Sequence, residues 1–259
     1  MEIVGRGFLA GSLRPLAAAH PDTVVFAAGV SSGHSTSDPE FAREAELLYR
    51  VLARCERDGR QLVYFSTCAS GMYGAGSRDS REDRPVFPNS PYGRHKLAME
   101  GVLRASGVDA LVLRLAYTVG RTQRSHQLMP SLVAQVRSGS VRVHRGARRD
   151  VVHVRDVVTV IDALLAKGVS REVVNVASGY AVPIEEIIAH LESRLGTAAV
   201  HETVDVTDDH SVSNEKLLGL LPAEARPPFG PDYFRTVVDR FLDTPSSAPP
   251  LPRQRKGTT

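Results

Sequence analysis

A two-residue apolar strand, Ile3-Val4, runs straight into Gly5-x-Gly7-x-x-Ala10, and no other stretch restricts the fold as much. Glycines at a strand-to-helix turn let backbone amides approach a pyrophosphate at the helix start. Further short, β-rich segments follow at 23–29, 61–65 and 110–115, and another strand ends across Asn175 to Gly179. Between the first and second of these, Ser37-Asp38-Pro39-Glu40 offers a cap, an N1 proline and a first-turn acid. The helix it opens reaches about Arg57, with Phe41, Leu47, Leu48, Val51 and Leu52 as its apolar stripe. Short strands alternating with helices predict an α/β fold with a buried parallel sheet.

Ser90-Pro91-Tyr92-Gly93-Arg94-His95-Lys96-Leu97 holds the candidate chemistry. Ser90 suits a cap and Pro91 the first helical turn, which puts Tyr92 and Lys96 on one helix face. A free phenol titrates near pH 10 and transfers protons poorly at neutrality. An ammonium held close favours the phenolate, and the spacing thereby turns tyrosine into a proton-transfer group suited to carbonyl–alcohol interconversion.

The 259 residues, 42% of them hydrophobic, suffice for a substantial core in one large or two unequal domains. No apolar run reaches the ~18 residues that span a bilayer. Met1-Glu2-Ile3-Val4-Gly5 has neither the basic flank nor the apolar core of a signal peptide. Cys55 and Cys68 make no disulfide framework, so a reducing cytoplasm is expected. A pI near 9.0 invites a nucleic-acid reading. The excess charge, however, lies in residues 244–259, where Arg253, Arg255 and Lys256 equal the whole net charge of +3. That proline-rich stretch reads as a disordered basic tail, and neither nucleic acid nor membrane is an expected partner. No internal repeat and no metal-ligand cluster is present in the sequence.

Taken together and in order, Gly5-Arg6-Gly7-Phe8-Leu9-Ala10, Tyr64-Phe65-Ser66-Thr67-Cys68, Tyr92…Lys96, Arg149-Asp150-Val151-Val152-His153-Val154-Arg155-Asp156 and Asn175-Val176-Ala177-Ser178-Gly179 resemble the extended short-chain dehydrogenase/reductase family. The resemblance is to its nucleotide-sugar epimerase, dehydratase and ketoreductase branch and runs from about residue 2 to 243. It implies a Rossmann-type parallel sheet at 1–120, rejoined by 150–178, with a small nucleotide-sugar domain made mainly of 121–243. It implies NADP or NAD against Gly5, Arg6, Gly7, Phe8, Leu9, Ala28, Gly29, Tyr92 and Lys96. Arg6 either tilts that choice towards NADP or faces solvent beside the turn. A cytoplasmic homodimer built through the Tyr92 helix and its neighbour is also implied.

The chain departs from the family after the glycine turn. The acid that holds the adenosine ribose should follow a second strand, yet Asp22 precedes the strand at 23–29. Val24-Val25-Phe26-Ala27-Ala28-Gly29 resembles the family's fourth strand, which implies that the second and third strands are missing and that the first becomes an edge. At the end of the next strand, Thr67, or Ser70 if counted from Tyr73, would hydrogen-bond the substrate carbonyl. The acid pair of the dehydratases is replaced by Cys68 and Ala69, which disfavours dehydration.

Cys68 and His126, the latter in Ser125-His126-Gln127-Leu128-Met129-Pro130, resemble the acid/base pair of GDP-4-keto-6-deoxymannose epimerase-reductases. The alternative is a buried small cysteine and a loop histidine. Thr118 occupies a substrate position where the family often has an amide. Arg149 and Arg145 are candidates to clamp a substrate diphosphate. Asp156 is expected to cap a helix at 157–167, with Asp150 and His153 structural. The reading is an NAD(P)-dependent oxidoreductase, a 4-ketoreductase of a nucleotide-diphosphate 4-keto-6-deoxysugar. The rivals are an epimerase, either by transient oxidation or through Cys68/His126, and a non-catalytic sugar-nucleotide binder with a degraded cofactor site.

Overall fold

The computed structural model describes residues 1–30, 38–74, 76–205 and 209–243, with only the backbone of Ser70 and Gly71. The Ser37 cap and the tail at 244–259 lie outside the described residues. Five strands make one parallel sheet: β1 (Glu2–Val4), β2 (Thr23–Phe26), β3 (Gln61–Thr67), β4 (Ala110–Leu115) and, later in the chain, Glu172–Val176. They lie side by side in that order, so β1 is an edge paired only with β2, through Glu2 opposite Val24 and Val4 opposite Phe26. The strand at Thr23–Phe26 therefore follows β1 directly, as the likeness of Val24 to Gly29 to a fourth strand implied.

Successive side chains of a strand point to opposite faces. Val24, Phe26, Leu62 and Tyr64 pack on one side, beneath α2 (Asp38–Asp58) and the later helix Pro91–Ala105. Val25, Val63, Leu111 and Leu113 pack on the other, against α1 (Phe8–Leu13) and the helix Val154–Ala166. Both faces are covered, as the near-continuous apolar strands require. A short α3 (Ser70–Tyr73) precedes the Pro91–Ala105 helix, α4, whose Ser90 hydroxyl accepts from the Gly93 amide at 3.0 Å, with Pro91 in the first turn.

Past β4 the chain forms β5 (Tyr117–Val119), α5 (Leu128–Ser138), β6 (Ser140–His144), β7 (Arg148–Arg149) and β8 (Val151–His153). The helix at 154–166 is α6 and the strand at 172–176 is β9. The chain continues through β10 (Val182–Pro183), α7 (Ile184–Leu195), β11 (Val200–Val204), α8 (Glu215–Leu220) and α9 (Tyr233–Asp243). A second core gathers Leu132 and Val136 of α5, Val141 and Val143 of β6, Ile187 and Leu191 of α7, and Val237 and Phe241 of α9.

The Asp156 cap is corrected. Helix α6 begins at Val154, and His153 caps it, its Nδ1 accepting from the Arg155 amide at 3.2 Å. Asp156 lies in the first turn instead, accepting from Tyr233 Oη at 2.5 Å and Arg240 at 2.8 Å. Asp150 is structural as expected, accepting from the amides of Ser178 and Gly179 at 2.8 and 2.9 Å. Among the described residues no helix is long and apolar enough to cross a membrane.

Candidate active site

The carboxyl ends of β1 to β4 open into one cavity of about 1480 Å³, closed on its far side by α5, β6 and β7. Open α/β sheets hold ligands at this end of their strands. The volume exceeds the roughly 300–1,000 Å³ of a single small-molecule pocket and suits two ligands end to end. All nine residues expected against the cofactor line it: Gly5, Arg6, Gly7, Phe8, Leu9, Ala28, Gly29, Tyr92 and Lys96. Gly5 has φ +136, and a Cβ there would stand 2.4 Å from Ala27 O, so only glycine fits. A Cβ on Gly7 would meet nothing within 4 Å, which leaves open space above the turn.

The lining carries five arginines (Arg6, Arg14, Arg124, Arg142 and Arg149), together with Lys96, His126 and His144. No Asp or Glu is among the described lining residues. Asp22 is exposed and does not line the cavity, so among the described residues no acid stands in for the ribose-binding one. This is a surface for anions, and two phosphate-bearing ligands are the chemistry it suits.

Thr67, at the end of β3, faces the cavity, and its Oγ1 accepts from the Ala69 amide at 3.1 Å. That contact leaves the hydroxyl hydrogen available to a carbonyl oxygen. Thr118 and Arg149 also line the cavity. The Arg149 guanidinium lies 5.3 Å from the Tyr117 ring centre and donates to Arg148 O at 2.8 Å. The amide of Gln123, also on the wall, is engaged with Thr118 O and Gly120 N, so it does not stand in for the amide Thr118 replaces.

Two expected site residues are placed differently. Cys68 does not line the cavity; it is 1% exposed in the core beneath the sheet, and burial pushes its thiol up. Its backbone still pairs with Leu115, so its side chain takes the opposite side from Thr67. Cys68 and His126 are therefore not brought together, and the thiol–imidazole route is withdrawn. Arg145 is not on the wall either; its side chain is 73% exposed and pairs with Asp205 at 3.2 Å. The side chain of Ser70 lies outside the described residues.

A further correction concerns the tyrosine–lysine pair. Both side chains project from one face of α4, with Lys96 Nζ 5.7 Å from the Tyr92 ring centre. Yet Lys96, 2% exposed, donates to Glu44 Oε1 at 2.8 Å and to Tyr64 Oη at 3.2 Å. Burial, and after it the Glu44 carboxylate, push the Tyr92 phenol above its ordinary value. The described hydrogen bonds of Lys96 thus go to Glu44 and Tyr64, not to the Tyr92 hydroxyl. Glu44 also accepts from Tyr64 Oη at 2.8 Å and from the Val30 amide at 2.6 Å. Burial alone would raise its carboxyl; His95, Lys96 and the Val30 amide outweigh that and hold it at about 2.

The chain matches the model of the NAD dependent epimerase/dehydratase family over residues 10–177. It belongs to that family. Among solved structures it is similar to MoeE5 in complex with UDP-glucuronic acid and NAD. There the identity is 25%, the TM-score 0.73, and the match covers 92% of this chain and 84% of that one. It is similar to the UDP-glucose 4-epimerase of Thermus thermophilus in complex with NAD, at 24% identity and TM-score 0.70, covering 91% and 82%. It is also similar to RMD from Pseudomonas aeruginosa complexed with NADPH, at 21% identity and TM-score 0.71, covering 92% and 97%. In this member of the epimerase/dehydratase family, Tyr92, Lys96 and the Gly5–Gly7 turn face one cavity beside a five-stranded sheet.

Sequence reasoning missed Glu44, Arg14, Arg124 and Arg142. The signal for Glu44 was present: with Leu48, Val51 and Cys55 it recurs at helical spacing on the buried side of α2. A carboxylate on such a stripe must find a partner. The arginines carry no such mark, because their shared wall is assembled from separate stretches of chain.

Proposed function

We propose that this chain is an NAD(P)-dependent oxidoreductase that reduces the ketone of a nucleotide-diphosphate 4-keto-6-deoxysugar. The observation that carries the reading is one continuous, arginine-lined cavity joining the Gly5–Gly7 turn to Tyr92, Lys96 and Thr67. The nicotinamide cofactor supplies the hydride when bound. Thr67 holds the carbonyl oxygen through its free hydroxyl hydrogen, and Tyr92 gives that oxygen its phenolic proton as the carbon becomes an alcohol. Lys96 has three N–H donors and uses two on Glu44 and Tyr64, which leaves one for a cofactor hydroxyl. Arg149, from the opposite wall, clamps the substrate diphosphate, and Arg6 and Arg14 suit the extra phosphate of NADP. The second core, around α5, α7 and α9, is assigned to the nucleotide-sugar half, and a homodimer to the α2–α4 face.

A second reading, 4-epimerisation through transient oxidation, is favoured by family membership and by the likeness to a UDP-glucose 4-epimerase. Cofactor stoichiometry separates the two. The expected result is one NAD(P)H oxidised per UDP-4-keto-6-deoxyglucose reduced, abolished by Tyr92→Phe. Interconversion of UDP-glucose and UDP-galactose with no net NAD(P)H consumption would establish the epimerase instead. Failure to bind NAD(H) or NADP(H) below about millimolar concentration would leave only a sugar-nucleotide binder.

A further inference from the structure

Glu44 sits on α2, fifty-two positions from Lys96 in sequence, yet its carboxylate and that ammonium meet at 2.8 Å with side chains only 1% and 3% exposed. The same carboxylate binds Tyr64 of β3, the Val30 amide after β2, and lies 3.4 Å from His95 of α4. A Cβ on Gly29 would come within 2.7 Å of Lys96 Nζ and 3.2 Å of Glu44 Oε1, so the glycine makes room for the pair.

We propose that Glu44 is a positioning residue that cancels the Lys96 charge at Tyr92, so that Tyr92 rests as a neutral proton donor, the form that carbonyl reduction starts from. This rests on the oxidoreductase reading above. Oxidising an alcohol needs a phenolate base, whereas reduction needs only the phenol. In the reducing direction Tyr92 passes its proton to the carbonyl oxygen while the carbonyl carbon accepts the hydride of the reduced nicotinamide. An alcohol and the oxidised cofactor result, and the phenolate regains a proton from water.

The other charges around Tyr92 do not replace this control. Glu100, one turn beyond Lys96, is committed to Arg114 of β4 at 2.7 Å. His95 faces Glu44 and stacks on Phe41 of α2, with ring centres 4.5 Å apart. Across the cavity stand Arg149 of β7, Arg142 and His144 of β6, and Arg124 and His126 before α5, all cationic or neutral. Glu44 is the carboxylate that meets the lysine.

The test follows the ultraviolet phenolate absorbance of Tyr92 in the full chain without cofactor or substrate, by subtracting the same protein carrying Tyr92→Phe. In Glu44→Gln the Tyr92 midpoint should fall by about one to two pH units, the scale of one unit charge at this range. An unchanged midpoint overturns the proposal. The neutral double variant Glu44→Gln/Lys96→Met provides a second measurement that does not depend on tolerating an unpaired ammonium. Its Tyr92 midpoint should stay level with the wild type or fall below it. A rise of about one pH unit or more would mean that Lys96 had been lowering Tyr92 all along, and would overturn it. Since no turnover is measured, a wrong substrate or a failed activity assay leaves this result standing or falling by itself.

Discussion

Replacing Arg114 by methionine removes three buried hydrogen bonds at once. The guanidinium donates to Glu100 Oε1 at 3.0 Å, to Glu100 Oε2 at 2.7 Å and to Tyr73 Oη at 2.8 Å, and the paired side chains are 3% and 0% exposed. Without it, Glu100 keeps only the Ser66 hydroxyl, at 2.5 Å, among its described partners. A buried carboxylate stripped of its cation costs about 3–5 kcal/mol. At roughly 2–4 °C per kcal/mol for a chain of this size, Tm should drop by about 6–20 °C. The damage should reach the chemistry too. Ser66 adjoins Thr67, and Glu100 lies one turn beyond Lys96, so this network fixes the carbonyl-holding strand against the proton-donating helix. Urea unfolding followed by circular dichroism measures the cost, and kcat of the folded fraction measures the misplacement. The double variant Arg114→Met/Glu100→Leu should recover to within about 2 kcal/mol of wild type, because no charge is left buried alone. A single variant within about 1 kcal/mol of wild type, or a double variant less stable than the single, would refute the reasoning.

Three further outcomes follow from the site. Arg149→Met should raise the KM of the nucleotide sugar about tenfold or more, the scale of one lost charged hydrogen bond, while Arg145→Met, exposed and paired with Asp205, should leave it unchanged in steady-state kinetics. Cys68→Ala should leave turnover intact and cost about 1–2 kcal/mol in chemical denaturation, since the thiol fills core rather than cavity. Burial, against the amides of Ser178 and Gly179, pushes Asp150 up to about 6. The folded chain therefore keeps a proton that the unfolded chain releases near pH 4, so this group's contribution to stability falls as pH rises from about 4 to 6. Unfolding free energies across that window should lose roughly 3 kcal/mol more in wild type than in Asp150→Asn.

Much of the frame was legible because it depends on local rules. Proline in a first turn, glycine at a positive φ and β-rich runs at regular spacing located β1 to β4 and α4 within a residue or two at most ends. The shortened sheet was legible because Asp22 stands before its strand instead of after one and because Val24 to Gly29 resembles the family's fourth strand and not its second. Helix α6 began three residues early because His153, taken as structural, supplies the cap that Asp156 was expected to give. What stayed hidden was decided by tertiary pairing. Lys96 and Tyr92 share a helix face, but the charge on that face is set by Glu44 from another helix. Cys68 and Thr67 are neighbours in sequence, yet strand alternation sends one to the core and the other to the cavity. Arg145 and Arg149 sit four positions apart in one basic run, and only Arg149 reaches the wall.

The edge position of β1 has a consequence for how long a dinucleotide stays. In a full-width sheet the adenosine end rests on neighbouring strands; here, among the described residues, no strand lies beyond β1, and Arg6 and Arg14 are the cations nearest the glycine turn in sequence. A nicotinamide so loosely moored is expected to come and go with each catalytic cycle, behaving as a second substrate and not as a permanent passenger. Such exchange suits an enzyme that must fetch a fresh hydride every time, and it is a handicap for one that must keep the same hydride from start to finish.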